Sequence, residues 1–110
     1  MISRERASQE LAKALDDGLF KALADPTRRD IARYLLVKGP SDVAAIAHEF
    51  PQDRSVISRH LRLLSDAGIV RASKQGRHVY YDLDGPLLLE RLETIVHKTR
   101  ALVAMCCPRT

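Results

Sequence analysis

Residues 53–83 limit the fold more than any other stretch. Asp53 is a helix N-cap residue, and Val56 or Ile57, Leu61 and Leu64 supply one apolar face of a helix running to about Ala67. Gly68 suits the end of that helix. Residues 69–73 and 78–83 then alternate, with β-branched and aromatic side chains, around the tip Lys74-Gln75-Gly76-Arg77. That pattern predicts a β-hairpin. A capped helix running at once into a hairpin makes the chain α+β, with the hairpin as a small appendage.

The remaining residues read as helices. Leu11, Leu15, Leu19 and Leu23 recur in steps of four and predict one helix over residues 8–24, weakened slightly by Gly18. Asp25 and Pro26 start a second helix, with Ile31, Leu35 and Leu36 facing inward, and Gly39-Pro40 stops it. Ser41 and Asp42 cap a short third helix whose apolar side is Val43, Ile46 and Ala47. Gly85-Pro86 opens a last one, lined by Leu88, Leu92, Ile95 or Val96, Thr99 and Leu102 or Val103. Two short helices joined by a turn and followed by a hairpin form a winged helix-turn-helix.

A chain of 110 residues makes one domain with a modest core. The leucine-rich end helices either pack on each other or seek a second copy. The formal charge is +4 and the pI about 9.4, a balance that favours a polyanionic partner. Aromatic content is 5%, lean for a single-strand stacking platform. The first 15 residues carry charge and no apolar signal core, and no run approaches the roughly 20 apolar residues of a membrane span. A cytoplasmic protein with reduced thiols and no membrane association is expected. No Gly-rich phosphate loop or paired-carboxylate motif suggests an enzyme, and His48 reads as a surface histidine.

Three segments carry a resemblance: FKALADPTRRDIARYL at 20–35, SVISRHLRLLSDAGIV at 55–70 and GRHVYYDL at 76–83. In this order and spacing the chain resembles the ArsR/SmtB transcriptional repressors over nearly its whole length. The resemblance implies a homodimer that binds palindromic operator DNA and dissociates when a metal, metalloid or oxidant is sensed. It also implies that the end helices make the dimer.

The helix over 53–67 carries Arg54, Ser55, Ser58, Arg59, His60 and Arg62. A major groove admits one helix, whose N-terminal residues reach base edges. Arg54 suits a guanine edge, Ser55 and Ser58 are short donors or acceptors, and Arg59 and His60 suit phosphates. At the hairpin tip Lys74 and Arg77 would touch phosphates as a wing. The bland alternatives are a solvated charged helix face and a merely soluble tip, or a winged helix that binds protein.

Three places could receive a signal by the resemblance. A cysteine pair on the third helix is absent. A zinc set at Asp84, Pro86, His97 and Arg100 fails, because Pro86 cannot ligate and Arg100 would repel the ion. The third place is the end of the last helix, where Cys106 and Cys107 are the sequence's two cysteines. Family members with adjacent cysteines there bind trivalent arsenic or antimony. Adjacent Cα atoms lie about 3.8 Å apart, short of the roughly 4.4–6.8 Å of ordinary disulfides. That geometry favours soft-ion capture over oxidation. Thiol redox sensing and two incidental terminal thiols remain the alternatives. Trivalent arsenic prefers three sulfurs, so a small thiol, water or the other subunit would complete the site.

Overall fold

Helix starts and stops follow the polar and glycine punctuation of the chain. The computed structural model describes residues 2–16 and 18–107. The elements are α1 (Arg4–Leu15), α2 (Leu19–Leu23), α3 (Pro26–Lys38), β1 (Ser41–Asp42), α4 (Val43–His48), α5 (Arg54–Asp66), β2 (Val70–Gln75), β3 (His78–Leu83) and α6 (Gly85–Cys106). Asp25 accepts from the backbone N–H groups of Thr27 and Arg28, Asp42 from that of Ala45, and Asp84 from that of Leu87. Each satisfies donors that a helix start leaves open. Asp53 differs from expectation. Its side chain makes no cap bond, and its carbonyl alone receives the N–H groups of Val56 and Ile57.

The single helix expected over residues 8–24 is in fact two. Gly18 sits at φ +91°, a left-handed conformation that side-chain-bearing residues avoid, and the chain turns there. The four-leucine stripe is thereby divided. Leu19 is fully buried and Leu23 packs on the core, whereas Leu15 stays exposed on α1. Arg28 and Arg29 hold the short α2 in place. Arg28 donates to the carbonyls of Lys21 and Ala22, and Arg29 to those of Leu23 and Ala24. The Lys21 carbonyl also takes the Ala24 N–H; the others lie where a helix end leaves carbonyls without helical partners.

The core gathers Leu19, Ile31, Leu35, Ile46, Ile57, Leu61, Leu64 and Ile69, one or more from α2, α3, α4, α5 and the link into β2. The hairpin turn is tighter than expected, only Gly76-Arg77, with Gln75 opposite His78 and Val70 opposite Leu83. The sheet also has a strand the sequence did not announce. Ser41 and Asp42 pair antiparallel with Tyr81 and Tyr80, giving the order β1-β3-β2.

α1 stands outside this core and packs along α6. The two run antiparallel: Lys98 bonds Glu10 at 3.2 Å, and the charge of Arg4 reaches Cys107. The two alternatives left open for α6 resolve into two faces. Leu88 and Ile95 turn to the core. Leu89, Leu92, Val96 and Val103 turn outward and are 41–58% exposed. Spacings of three, four and seven align these four as a straight apolar seam.

Candidate nucleic-acid interface and thiol site

α5 is amphipathic for a reason visible in its numbering. Ile57, Leu61 and Leu64, at i, i+4 and i+7, are fully buried. Ser55, Ser58, Arg59 and Arg62, at i, i+3, i+4 and i+7, share the opposite face, and all four are exposed. Arg54 occupies the first helical position at the flank of that face and is also exposed. The face therefore offers two guanidinium groups and two small hydroxyls, with a third guanidinium at its N-terminal edge. Asp66 closes the face at the far end of the helix.

His60, expected as a phosphate contact, also has a partner within the fold. It is half-buried, and its Nδ1 lies 3.4 Å from an Arg28 guanidinium nitrogen. The contact ties α5 to the start of α3. Asp25 belongs to the same group. The Arg28 backbone N–H, first among several causes, holds the Asp25 carboxyl below its ordinary pKa; the Thr27 N–H, the Arg28 charge and His60 act in the same direction, while desolvation opposes them. Arg28 escaped the sequence reading, although its place three residues after a helix N-cap was a signal.

α5 runs through Ala67 and Gly68 almost directly into β2, so the hairpin is fixed relative to the helix. Lys74 lies near the end of β2 and Arg77 in the turn, both exposed. Gly76 takes φ +63°, as a tight hairpin turn requires. Next to the hairpin turn, His78 Nδ1 sits 3.6 Å from Asp42, which also caps α4, so β3 is tied to the helix-turn-helix there.

α6 grips the far end of α5. Arg91 donates to the Ala67 carbonyl, and Gly68 at φ +75° lies directly under Leu87 and Arg91. A Cβ there would come within 2.9 Å of Leu87 Cδ2. The sequence marked Gly68 as a helix stop and did not disclose this second duty.

Cys106 is the last residue of α6 and Cys107 its C-cap. Both are exposed free thiols with Sγ atoms 2.9 Å apart. The hydrogen bond shared with Cys106, first among several causes, raises the pKa of Cys107, and the Arg4 charge acts against it. Asp84 is occupied as the α6 cap and His97 stands exposed on α6. Among the described residues no three His, Cys, Asp or Glu side chains gather as a metal cage, and no helix is long and apolar enough to cross a membrane.

Comparison with known proteins agrees with this geometry. Residues 23–72 match the family model for a helix-turn-helix domain. The cadmium resistance transcriptional regulatory protein CadC homolog of Staphylococcus aureus is 38% identical over 96 residues, covering 84% of this chain and 76% of the relative. The arsenical resistance operon repressor of Bacillus subtilis is 36% identical over 83 residues, covering 72% of this chain and 79% of the relative. The solution structure of a homodimeric winged helix-turn-helix DNA-binding domain from Mycobacterium bovis, titled a possible ArsR-family transcriptional regulator, superposes with a TM-score of 0.61. It is 25% identical and covers 96% of this chain and 91% of that one. On the strength of these matches, the chain belongs to the ArsR family of winged helix-turn-helix transcriptional regulators.

Proposed function

We propose that this protein is a homodimeric repressor that reads operator DNA with α5 and releases it when trivalent arsenic or antimony binds Cys106 and Cys107. One observation carries the DNA reading: the exposed Ser55, Ser58, Arg59 and Arg62 face lies opposite the buried face of α5, beside a wing bearing Lys74 and Arg77. Arg54, Ser55 and Ser58 stand at the N-terminal end, which enters the groove. Arg59, Arg62, Lys74 and Arg77 supply phosphate contacts. His60 acts through Arg28, as a positioning residue for α5.

The outward seam of α6 supports a dimer, because four apolar residues in a line ask for a second helix. The homodimeric state of the M. bovis neighbour fits that assignment. The metalloid assignment rests on the paired thiols and on the arsenical-resistance relative. α6 carries the thiols at its end, the seam along its length and the Arg91 clamp on α5 near its start. A shift of α6 at the thiols therefore reaches the seam and the recognition helix through one rigid element. A coupling of about 1–3 kcal/mol suffices for operator release.

The test is fluorescence anisotropy on a labelled duplex from the protein's own promoter, titrated with arsenite or trivalent antimony. Release by the ion that disappears in Cys106→Ser/Cys107→Ser supports the reading. Release that persists in the double variant removes the thiols from the mechanism. Release by peroxide alone, abolished in the same variant, replaces ion capture by thiol oxidation.

A further inference from the structure

The outer face of α3 takes no part in the core, the DNA surface or the α6 seam. Ile31 and Leu35 carry the buried face of the helix. Leu36 and Val37 follow on the other side, at 73% and 71% the most exposed large apolar side chains among the described residues. Val37 borders a groove between α3 and the end of α4. Tyr34 and Phe50 line the same groove, packed edge to face with ring centroids 6.3 Å apart. Large apolar side chains scattered singly are normal on a surface, whereas a contiguous apolar strip points to a contact.

The charges around the groove say what makes that contact. Asp30 and Glu49 are acidic, Arg33 and Lys38 basic, and all four line it. All are exposed, and none has an ion-pair partner among the described residues. A surface built for an acidic or a basic partner would carry one dominant sign. Two charges of each sign are the balance of a surface that complements itself.

We infer that this face of α3 is a second self-association surface, on which two copies of the chain meet across a two-fold axis near Tyr34. In a two-fold contact residue i of one copy meets j of the other, and j meets i. Asp30 and Lys38 lie four residues either side of Tyr34. Antiparallel α3 helices crossing at Tyr34 therefore set each Asp30 carboxylate against the Lys38 ammonium of the other copy. At 1.5 Å per residue each charge stands about 6 Å from the axis along its helix, so both pairs form at one crossing. Val37 falls between them, facing the Tyr34 and Phe50 groove of the other copy. Leu36 lies about 100° further round the helix and outside the contact. α3 meets α5 through the core, so its outer face points away from the recognition face, and α6 keeps its own seam. The inference needs neither the DNA nor the thiol assignment. Its consequence for them is that dimers joined through α6 can also join one another while holding DNA.

The contact is small, below the roughly 1,200 Å² of a stable interface, so dissociation on the order of 100 µM is expected. Sedimentation equilibrium of the intact chain without DNA, from about 10 µM to about 1 mM, tests it. The weight-average mass should climb above its low-concentration value. Val37→Glu should hold the mass at that value, and Leu36→Glu should associate like the wild type. Asp30→Lys should weaken association about tenfold, because two pairs turn repulsive. Asp30→Lys combined with Lys38→Asp should restore it. All four substituted side chains are exposed, and circular dichroism confirms that each variant is folded. A mass that stays constant to the highest concentration would overturn the inference. So would equal losses in Leu36→Glu and Val37→Glu, or a double swap no better than Asp30→Lys alone.

Discussion

Replacing Gly68 by alanine should cost far more than replacing Gly76, although both adopt left-handed backbone. Gly76 sits at φ +63° with open space around it, so Gly76→Ala loses only the backbone preference, about 1 kcal/mol. Gly68 sits at φ +75°, and its new Cβ would meet Leu87 Cδ2 at 2.9 Å and the Arg91 guanidinium at 3.1 Å. Both atoms end flexible side chains, so the clash is relieved by moving them and the cost is what the motion loses. A displaced Leu87 rotamer costs about 0.5–1.5 kcal/mol. Losing the charged hydrogen bond from Arg91 to the Ala67 carbonyl costs at least about 1.5 kcal/mol more. Gly68→Ala should therefore unfold about 2 kcal/mol more easily than Gly76→Ala in urea, at matched protein concentration. In an Arg91→Ala background the excess should shrink to the Leu87 share. Equal costs for the two glycines, or an excess undiminished without Arg91, would refute the claim that α6 is clamped onto the end of α5.

Three further outcomes follow from named contacts. Arg59→Ala and Arg62→Ala should leave the fold intact, since both side chains are exposed, and each should lower the salt dependence of DNA binding by a slope of about 0.9 if it removes one phosphate contact. Val96→Glu places a charge in the middle of the α6 seam; sedimentation should show monomers, and operator affinity should fall because one half-site is lost. Asp25 has a folded pKa below its ordinary value of 3.8, so its stabilisation is complete above that value and is lost as pH falls through the depressed one. Urea titrations should show Asp25→Ala weaker than the wild type at pH 7, with the difference closing in strong acid.

The helix-turn-helix and wing were legible because their signals are local. Asp25, Asp42 and Asp53 mark starts, Gly39 and Gly68 mark ends, and the 57/61/64 spacing assigns the face of α5. The break at Gly18 was not legible, since the leucine period runs through it unbroken and only tertiary burial of Leu19 separates the halves. β1 escaped because two residues carry no period of their own; its pairing with Tyr80 and Tyr81 exists only once β3 is in place. The inward turn of His60 depends on Arg28, thirty-two residues earlier, and α6 hid its two faces because apolar residues occur on both. The thiol pair was legible as chemistry, and its neighbour Arg4 was not, because only the antiparallel packing of α1 on α6 brings the chain's two ends together.

The central claim is that α5 and the wing are the DNA surface. Amide NMR of labelled protein titrated with a duplex from its own promoter addresses it most directly. Shifts concentrated at Arg54, Ser55, Ser58, Arg59 and Arg62, with a second group from Lys74 to Arg77, are the predicted result. Shifts that leave α5 and the wing untouched and gather elsewhere, such as the exposed Leu36 and Val37 on α3, would contradict it.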